Sequence, residues 1–120
     1  MAYKNKEDQA KAAKKHYLAN KEKIKERAHL FTKRTRVRNR NYVKNYLREH
    51  PCIDCGEDDI IVLEFDHVNG KKKNNISNMV NKAHSLDRIQ KEIKKCEVRC
   101  ANCHRRKHYI DRTIVIIYGD

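Results

Sequence analysis

The chain has no tryptophan, two phenylalanines, one proline and three glycines in 120 residues. With only 38% of its residues apolar, it cannot build a large aromatic core. A fold this poor in core material needs a staple, either disulfides or a structural metal. No apolar run reaches ten residues, which argues against a membrane-spanning helix. The opening MAYKNKEDQ is too polar for a secretory signal, so the expected location is intracellular. There the cysteines stay reduced, which favours metal binding over disulfides. Helix breakers are missing from the first fifty residues, since the sole proline is Pro51 and the first glycine is Gly56.

What is present is positive charge, unevenly spread. Residues 1–50 carry 16 Lys/Arg against 5 Asp/Glu, a net +11, whereas residues 51–120 carry 13 against 11, a net +2. A block this basic suits a polyanion, and nucleic acid is the commonest one. Tyr3, Ala10, Tyr17, Ile24 and Phe31 recur every seven residues, thickened by Ala13 and Ala28. That spacing predicts a basic helix with a narrow apolar seam. The β-branched and turn-prone stretch TKRTRVRNRN predicts a break near 29–35, followed by a short helix over 41–50. The arm up to residue 33 is mostly lysine, which suits backbone contacts; Arg34, Arg36, Arg38 and Arg40 are the candidates for groove entry. The seam offers a rival use, pairing with a second copy or a partner protein.

Beyond Pro51 the texture changes. CIDCG is a two-cysteine turn closed by glycine, IIVLEF at 60–65 reads as a strand, and NGKKKNN as a loop. One or two short helices follow, with Ser85 or Asp87 as N-cap. CEVRC reads as a strand, ANCHRRKHYIDR as a helix, and TIVIIYGD as a terminal strand that pairs with the small sheet or another chain. The expected fold class is therefore α+β: a basic helical arm over 1–49, a small metal-stapled core over 50–112, and a tail strand over 113–120.

Two cysteine pairs, Cys52-x-x-Cys55 and Cys100-x-x-Cys103, have the spacing that lets a turn aim both thiolates at one tetrahedral zinc. Such a zinc contributes roughly 10–16 kcal/mol of apparent folding free energy, enough to replace a core. Cys96 is the odd one, either a core filler or a substitute for Cys100. His104 directly follows the second pair. Consecutive helical residues point about 100° apart, so Cys103 can serve zinc while His104 faces Asp66 and His67 at the end of the first strand. Adjacent strand residues point to opposite faces, so Asp66 and His67 act together only if the strand bends or ends there.

Taken together, Cys52-x-x-Cys55, Asp66-His67 and Cys100-x-x-Cys103-His104 with the basic residues after them resemble the HNH endonuclease family, over about half the chain. They are similar to a compact subgroup found in bacteria and their phages. The resemblance implies a ββα-metal core with a zinc staple and a metal-dependent DNA endonuclease, nicking or weakly specific, most readily on double-stranded DNA. It implies that His67 is the general base and that Asp66 and His104 hold one Mg²⁺ or Mn²⁺ ion. His108, at i+4 from His104, is either a second helix-borne ligand or a phosphate contact. Lys71, Lys72, Lys73, Arg105, Arg106 and Lys107 would grip the phosphate backbone. The family's middle asparagine is missing, since Lys95, Cys96 and Glu97 occupy its place; Asn69, Asn78 and Asn102 are the candidates to tie down the loop beside His67. The alternative is a zinc-stapled nucleic-acid-binding module without catalysis, which has no need of Asp66, His67 and His104.

Overall fold

The computed structural model describes residues 5–118, so Tyr3 of the apolar seam and the last two residues of the expected tail strand lie outside it. Helix α1 runs unbroken over Lys6–Glu49. Asn5 caps it, its side-chain oxygen accepting from the Asp8 amide at 2.8 Å, and Glu7 and Asp8 in the first turn suit the positive end of the helix dipole.

The expected break near residues 29–35 is absent, and the reason is packing. Thr35 and Asn39 are buried four residues apart, and Val43, Tyr46 and Leu47 continue the same face into the core. Asn39 is fully buried, donating to the His84 carbonyl at 3.0 Å and accepting from Arg38 at 3.0 Å. A buried amide with both ends satisfied costs little and fixes the register of the helix. Compact structure accordingly begins at Thr35, with residues up to Arg34 forming a unit of their own. In that first unit Tyr17 and Phe31 are exposed, so the seam is uncovered among the described residues. Before Pro51 the helix ends with the His50 ring stacked on Tyr46, centroids 3.8 Å apart.

Strand β1 (Leu63–His67) and strand β2 (Cys96–Cys100) form an antiparallel pair that aligns Leu63 with Cys100 and His67 with Cys96. The first strand thus starts three residues later than IIVLEF suggested, and Asp66 and His67 are its last two residues. Between the strands lie α2 (Ile76–Asn81) and α3 (Leu86–Ile93), the latter capped by Ser85, whose hydroxyl accepts from the Arg88 amide. Helix α4 (Ala101–Tyr118) follows β2 directly. The fold is α+β, a small two-stranded sheet among helices.

The expected tail strand over 113–120 is corrected: α4 continues through residue 118. No glycine or proline lies between Ala101 and Gly119, and β-branched residues cost a helix only a few tenths of a kcal/mol each. A lone strand would leave its backbone unpaired, whereas the helix pairs it internally, and the Thr113 hydroxyl also donates to the Tyr109 carbonyl at 2.9 Å. Strand pairing with another chain through this tail falls with it.

Eleven apolar residues are buried among those described, and three of them are cysteines. One cluster holds Leu47, Leu63 and Val98 with Cys52, Cys100 and Cys103. A second gathers Ile76, Met79, Val80, Ile89 and Ile93, and Val43, Tyr46 and Phe65 pack against both. About a quarter of this described apolar core is thus cysteine.

Candidate metal centres and the cleft beside them

The four cysteines meet. Cys52, Cys55, Cys100 and Cys103 bring their sulfurs within 4.8 Å of one another, and Cys55 Sγ lies 3.7 Å from Cys100 Sγ. Zinc–sulfur bonds of about 2.3 Å in a tetrahedron require sulfur–sulfur edges of about 3.8 Å. Local folding explains the approach: Gly56 adopts φ +78° and its amide closes the turn onto the Cys52 carbonyl at 2.9 Å. On the other side Cys100 ends β2 and Cys103 sits in the first turn of α4, its amide donating to Cys100 Sγ at 3.4 Å.

Burial pushes the Cys52 thiol up, but hydrogen bonds from the backbone at Cys100, Cys55 and Asp54 outweigh it and bring it to about 6. Cys103, bonded to Cys100 and buried, is pushed up to about 12. Four crowded thiols cannot all ionise alone, and a dication resolves this by stabilising all four thiolates. This set can hold a zinc ion. Cys96 lies four strand residues from Cys100, roughly 13 Å by strand rise, outside the cluster. Its thiol donates to the Glu92 carbonyl at 3.4 Å, so it does not substitute for Cys100.

A second group of donors forms where β1 ends against α4: Asp66, His104 and His108 lie within 4.8 Å of one another. The histidine rings stand one helical turn apart, centroids 4.9 Å. Asp66 divides its oxygens. Oδ2 accepts from Arg99 at 2.8 Å and Lys107 at 3.1 Å, while Oδ1 faces His104 Nε2 at 3.5 Å. Burial pushes this carboxyl up, but Lys107, His104 and Arg99 overcome that and hold it below the ordinary carboxylate range. One carboxylate and two imidazoles make a set that can bind a metal ion, and nitrogen donors suit Mn²⁺ and later transition dications better than Mg²⁺. Glu64 joins the rim, 3.7 Å from His104 Nδ1. It was missed, although its i, i+2 spacing from Asp66 puts it on the same face of the strand.

His67 points the other way, as strand alternation requires. Its Nε2 meets Glu92 Oε2 at 2.9 Å. Glu92 is buried and also accepts from Lys95 Nζ at 3.0 Å and the Lys73 amide at 3.2 Å. Burial pushes its carboxyl up, but Lys95, the Lys73 amide and His67 together hold it below the ordinary range. A carboxylate on Nε2 fixes the tautomer and leaves the Nδ1 lone pair free. The loop after β1 is therefore tied by Glu92 and by Lys95, whose ammonium also donates to the Lys71 carbonyl at 2.9 Å. Among the described residues no side chain of Asn69, Asn78 or Asn102 does this, although the Asn69 amide donates to the Lys95 carbonyl at 3.0 Å. Glu92 left one signal in the sequence, a charge on the apolar face of α3 between Ile89 and Ile93.

No family model, curated protein or solved structure matches this chain.

A cleft of about 610 Å³ opens between α1, β1 and α2, and both His67 and His104 line it. Arg40, Lys44 and Lys72 stand at its walls. The other expected phosphate contacts do not line the cleft. Arg36 donates to the Asn81 carbonyl at 2.7 Å, tying α1 to α2, and Arg38 donates to its helix neighbour Asn39 at 3.0 Å. Lys107 is paired with Asp66. Arg105 and Arg106 are exposed on other faces of α4, Arg106 beside Cys55 and Cys103. Arg34 and Lys71 are exposed, and neither lines the cleft. Among the described residues no helix is long and apolar enough to cross a membrane.

Proposed function

We propose that this protein is a metal-dependent endonuclease of the HNH type, hydrolysing phosphodiester bonds in DNA. The observation that carries the reading is the conjunction of Asp66, His104 and His108 with a cleft whose wall also holds His67, braced by Glu92. Phosphodiester hydrolysis needs an activated water and compensation of the charge that grows on the phosphate and the leaving oxygen. His67 takes the proton from water at Nδ1, because Glu92 keeps the Nε2–H in place. Arg40, Lys44 and Lys72 neutralise and orient the phosphate backbone. Asp66, His104 and His108 would hold a divalent ion, Mg²⁺ or Mn²⁺. When bound, that cation acts as a Lewis acid toward the phosphate and the leaving oxygen. The cysteine-bound zinc serves the fold, standing in for the missing core.

Nicking of supercoiled plasmid by zinc-loaded protein, with and without added Mn²⁺ or Mg²⁺, tests this. Chelators are unsuitable as the blank because they would also strip the cysteine site. Absence of nicking under either added ion, at protein concentrations that saturate the plasmid, sinks the reading.

One observation favours a second reading. Asp66 is already neutralised by Arg99 and Lys107, and neighbouring cations weaken a carboxylate's hold on a metal. In a non-catalytic, zinc-stapled nucleic-acid-binding module, Asp66 would serve only to join β1, β2 and α4. The protein would then bind plasmid without cutting it, and Mn²⁺ would leave the His104 and His108 resonances unbroadened.

A further inference from the structure

The cleft beside His67 is built unlike a phosphate-binding surface. Apart from His67 and His104, its buried and half-buried lining is apolar, including Val43 from α1, Phe65 from β1 and Val80 from α2. The exposed rim carries three cations, Arg40, Lys44 and Lys72, against one acid, Glu64. Phosphates gain from the rim and nothing from the floor. A surface that only tracks a duplex backbone has no use for concave apolar area, which costs free energy when left wet. At about 610 Å³ the cleft falls in the size range of sites that enclose a small molecule. A base inside a stacked duplex cannot offer its faces to such a cavity; an unstacked one can. Flat apolar contact for a base with cations for its phosphates is the recognition chemistry of unpaired nucleotides.

We propose that this cleft binds one unpaired nucleotide of the substrate, its base on the Val43, Phe65 and Val80 floor and its phosphates on Arg40, Lys44 and Lys72. The preferred substrate is then DNA with a bulged, flipped or single-stranded position, not a fully paired duplex. His67 and His104 line the same cleft, so the phosphate of the bound nucleotide is the one presented to the reactive side chains. This deepens the nuclease reading and takes from it only that nucleic acid is the ligand.

The test is binding by the full, zinc-loaded chain with no other divalent ion added, which separates it from cleavage. Fluorescein-labelled duplexes of one sequence are compared, fully paired or with one extra unpaired nucleotide, and their integrity is checked on denaturing gels. The expected result is roughly tenfold or more tighter binding of the bulged duplex at equal salt, the size of one base–aromatic stacking contact. Ser77, exposed at the lip of the cleft, gives the blocking variant: Ser77→Trp should erase the preference while far-UV circular dichroism is unchanged. Should that variant misfold, 2-aminopurine at the unpaired position of the wild-type complex gives a second readout. Its fluorescence should change on binding, and that of a 2-aminopurine at a paired position should not.

Equal affinity for paired and bulged duplexes overturns the proposal, as does a preference that survives in well-folded Ser77→Trp. If the cleft instead takes a second copy of the chain, sedimentation will show a dimer that Ser77→Trp splits, with no bulge preference. That result overturns it too. Failure of the plasmid-nicking assay would leave the binding result standing, because the two are measured apart.

Discussion

Replacing Glu92 by glutamine keeps the shape of the side chain and removes its charge. All three of its partners donate: His67 Nε2, Lys95 Nζ and the Lys73 amide. A glutamine offers one acceptor oxygen, and its NH₂ must face at least one donor. The carboxylate is only 3% exposed, so water cannot take its place. Hydrogen bonds to charged groups contribute about 1.5–3 kcal/mol, and an unpaired buried donor costs about 1–3, so a net loss of about 2–4 kcal/mol is expected. For a compact unit spanning Thr35–Asp120, that lowers the melting temperature by about 10–25 °C.

The pH dependence gives a sharper signature. Glu92 has a folded pKa below its unfolded value, so its stabilisation is present above the unfolded value of about 4.3. It is lost as pH falls through the folded pKa. Acid also protonates the cysteine thiolates, but it does so in both proteins. The gap in melting temperature between wild type and Glu92→Gln should therefore be widest near neutrality and close below about pH 4. Zinc-loaded protein followed by circular dichroism from pH 7 to 3 measures it. A variant melting within 2–3 °C of wild type at pH 7, well inside the shift expected for about 1 kcal/mol, would refute the role given to Glu92.

Three further outcomes are expected. Cys103→Ser should unfold the compact unit and not merely inactivate it, with elemental analysis finding one zinc per wild-type chain; a thermal transition unchanged in chelator would contradict this. His67→Ala should keep fold and DNA affinity but lose ~10²–10⁴-fold in nicking, the size of general-base help; activity within tenfold of wild type removes His67 from that part. Deleting residues 1–33 removes ten Lys/Arg, and if six touch phosphate, log affinity against log salt flattens by about 5. Loss of a dimer in light scattering with an unmoved salt slope would instead assign that helix to self-association.

The parts of the molecule legible in the sequence are those encoded locally. Two CxxC turns put four sulfurs together because each pair needs only its own turn, and one β pairing then joins them. Asp66 and His104 are adjacent because each flanks a readable landmark, a strand end and a cysteine turn. The charge of Glu92 on the apolar face of α3 was readable, but its pairing with His67 was hidden, because the two lie 25 residues apart on different elements. The continuity of α1 was hidden for a different reason: its inward face starts with Thr35 and Asn39, polar residues that no apolar periodicity marks. The α4 tail was misread because β-branched residues report a preference that matters only when a partner strand exists.

Arg99 links the first cysteine turn to the Asp66 site. It is itself buried, donating to Asp54 in the first cysteine turn, to Asp66 beside His104, and to Glu97 on its own strand. Removing any one of these acids shifts the charge balance felt by the others, so the four positions form one epistatic unit. A drift from Asp54 to a neutral residue would be felt at Asp66 without any atom near His104 having changed. Double-mutant cycles should find positions 54 and 66 coupled through Arg99 and uncoupled once it is gone. A lineage carrying this fold should therefore change these residues in concert or leave them alone.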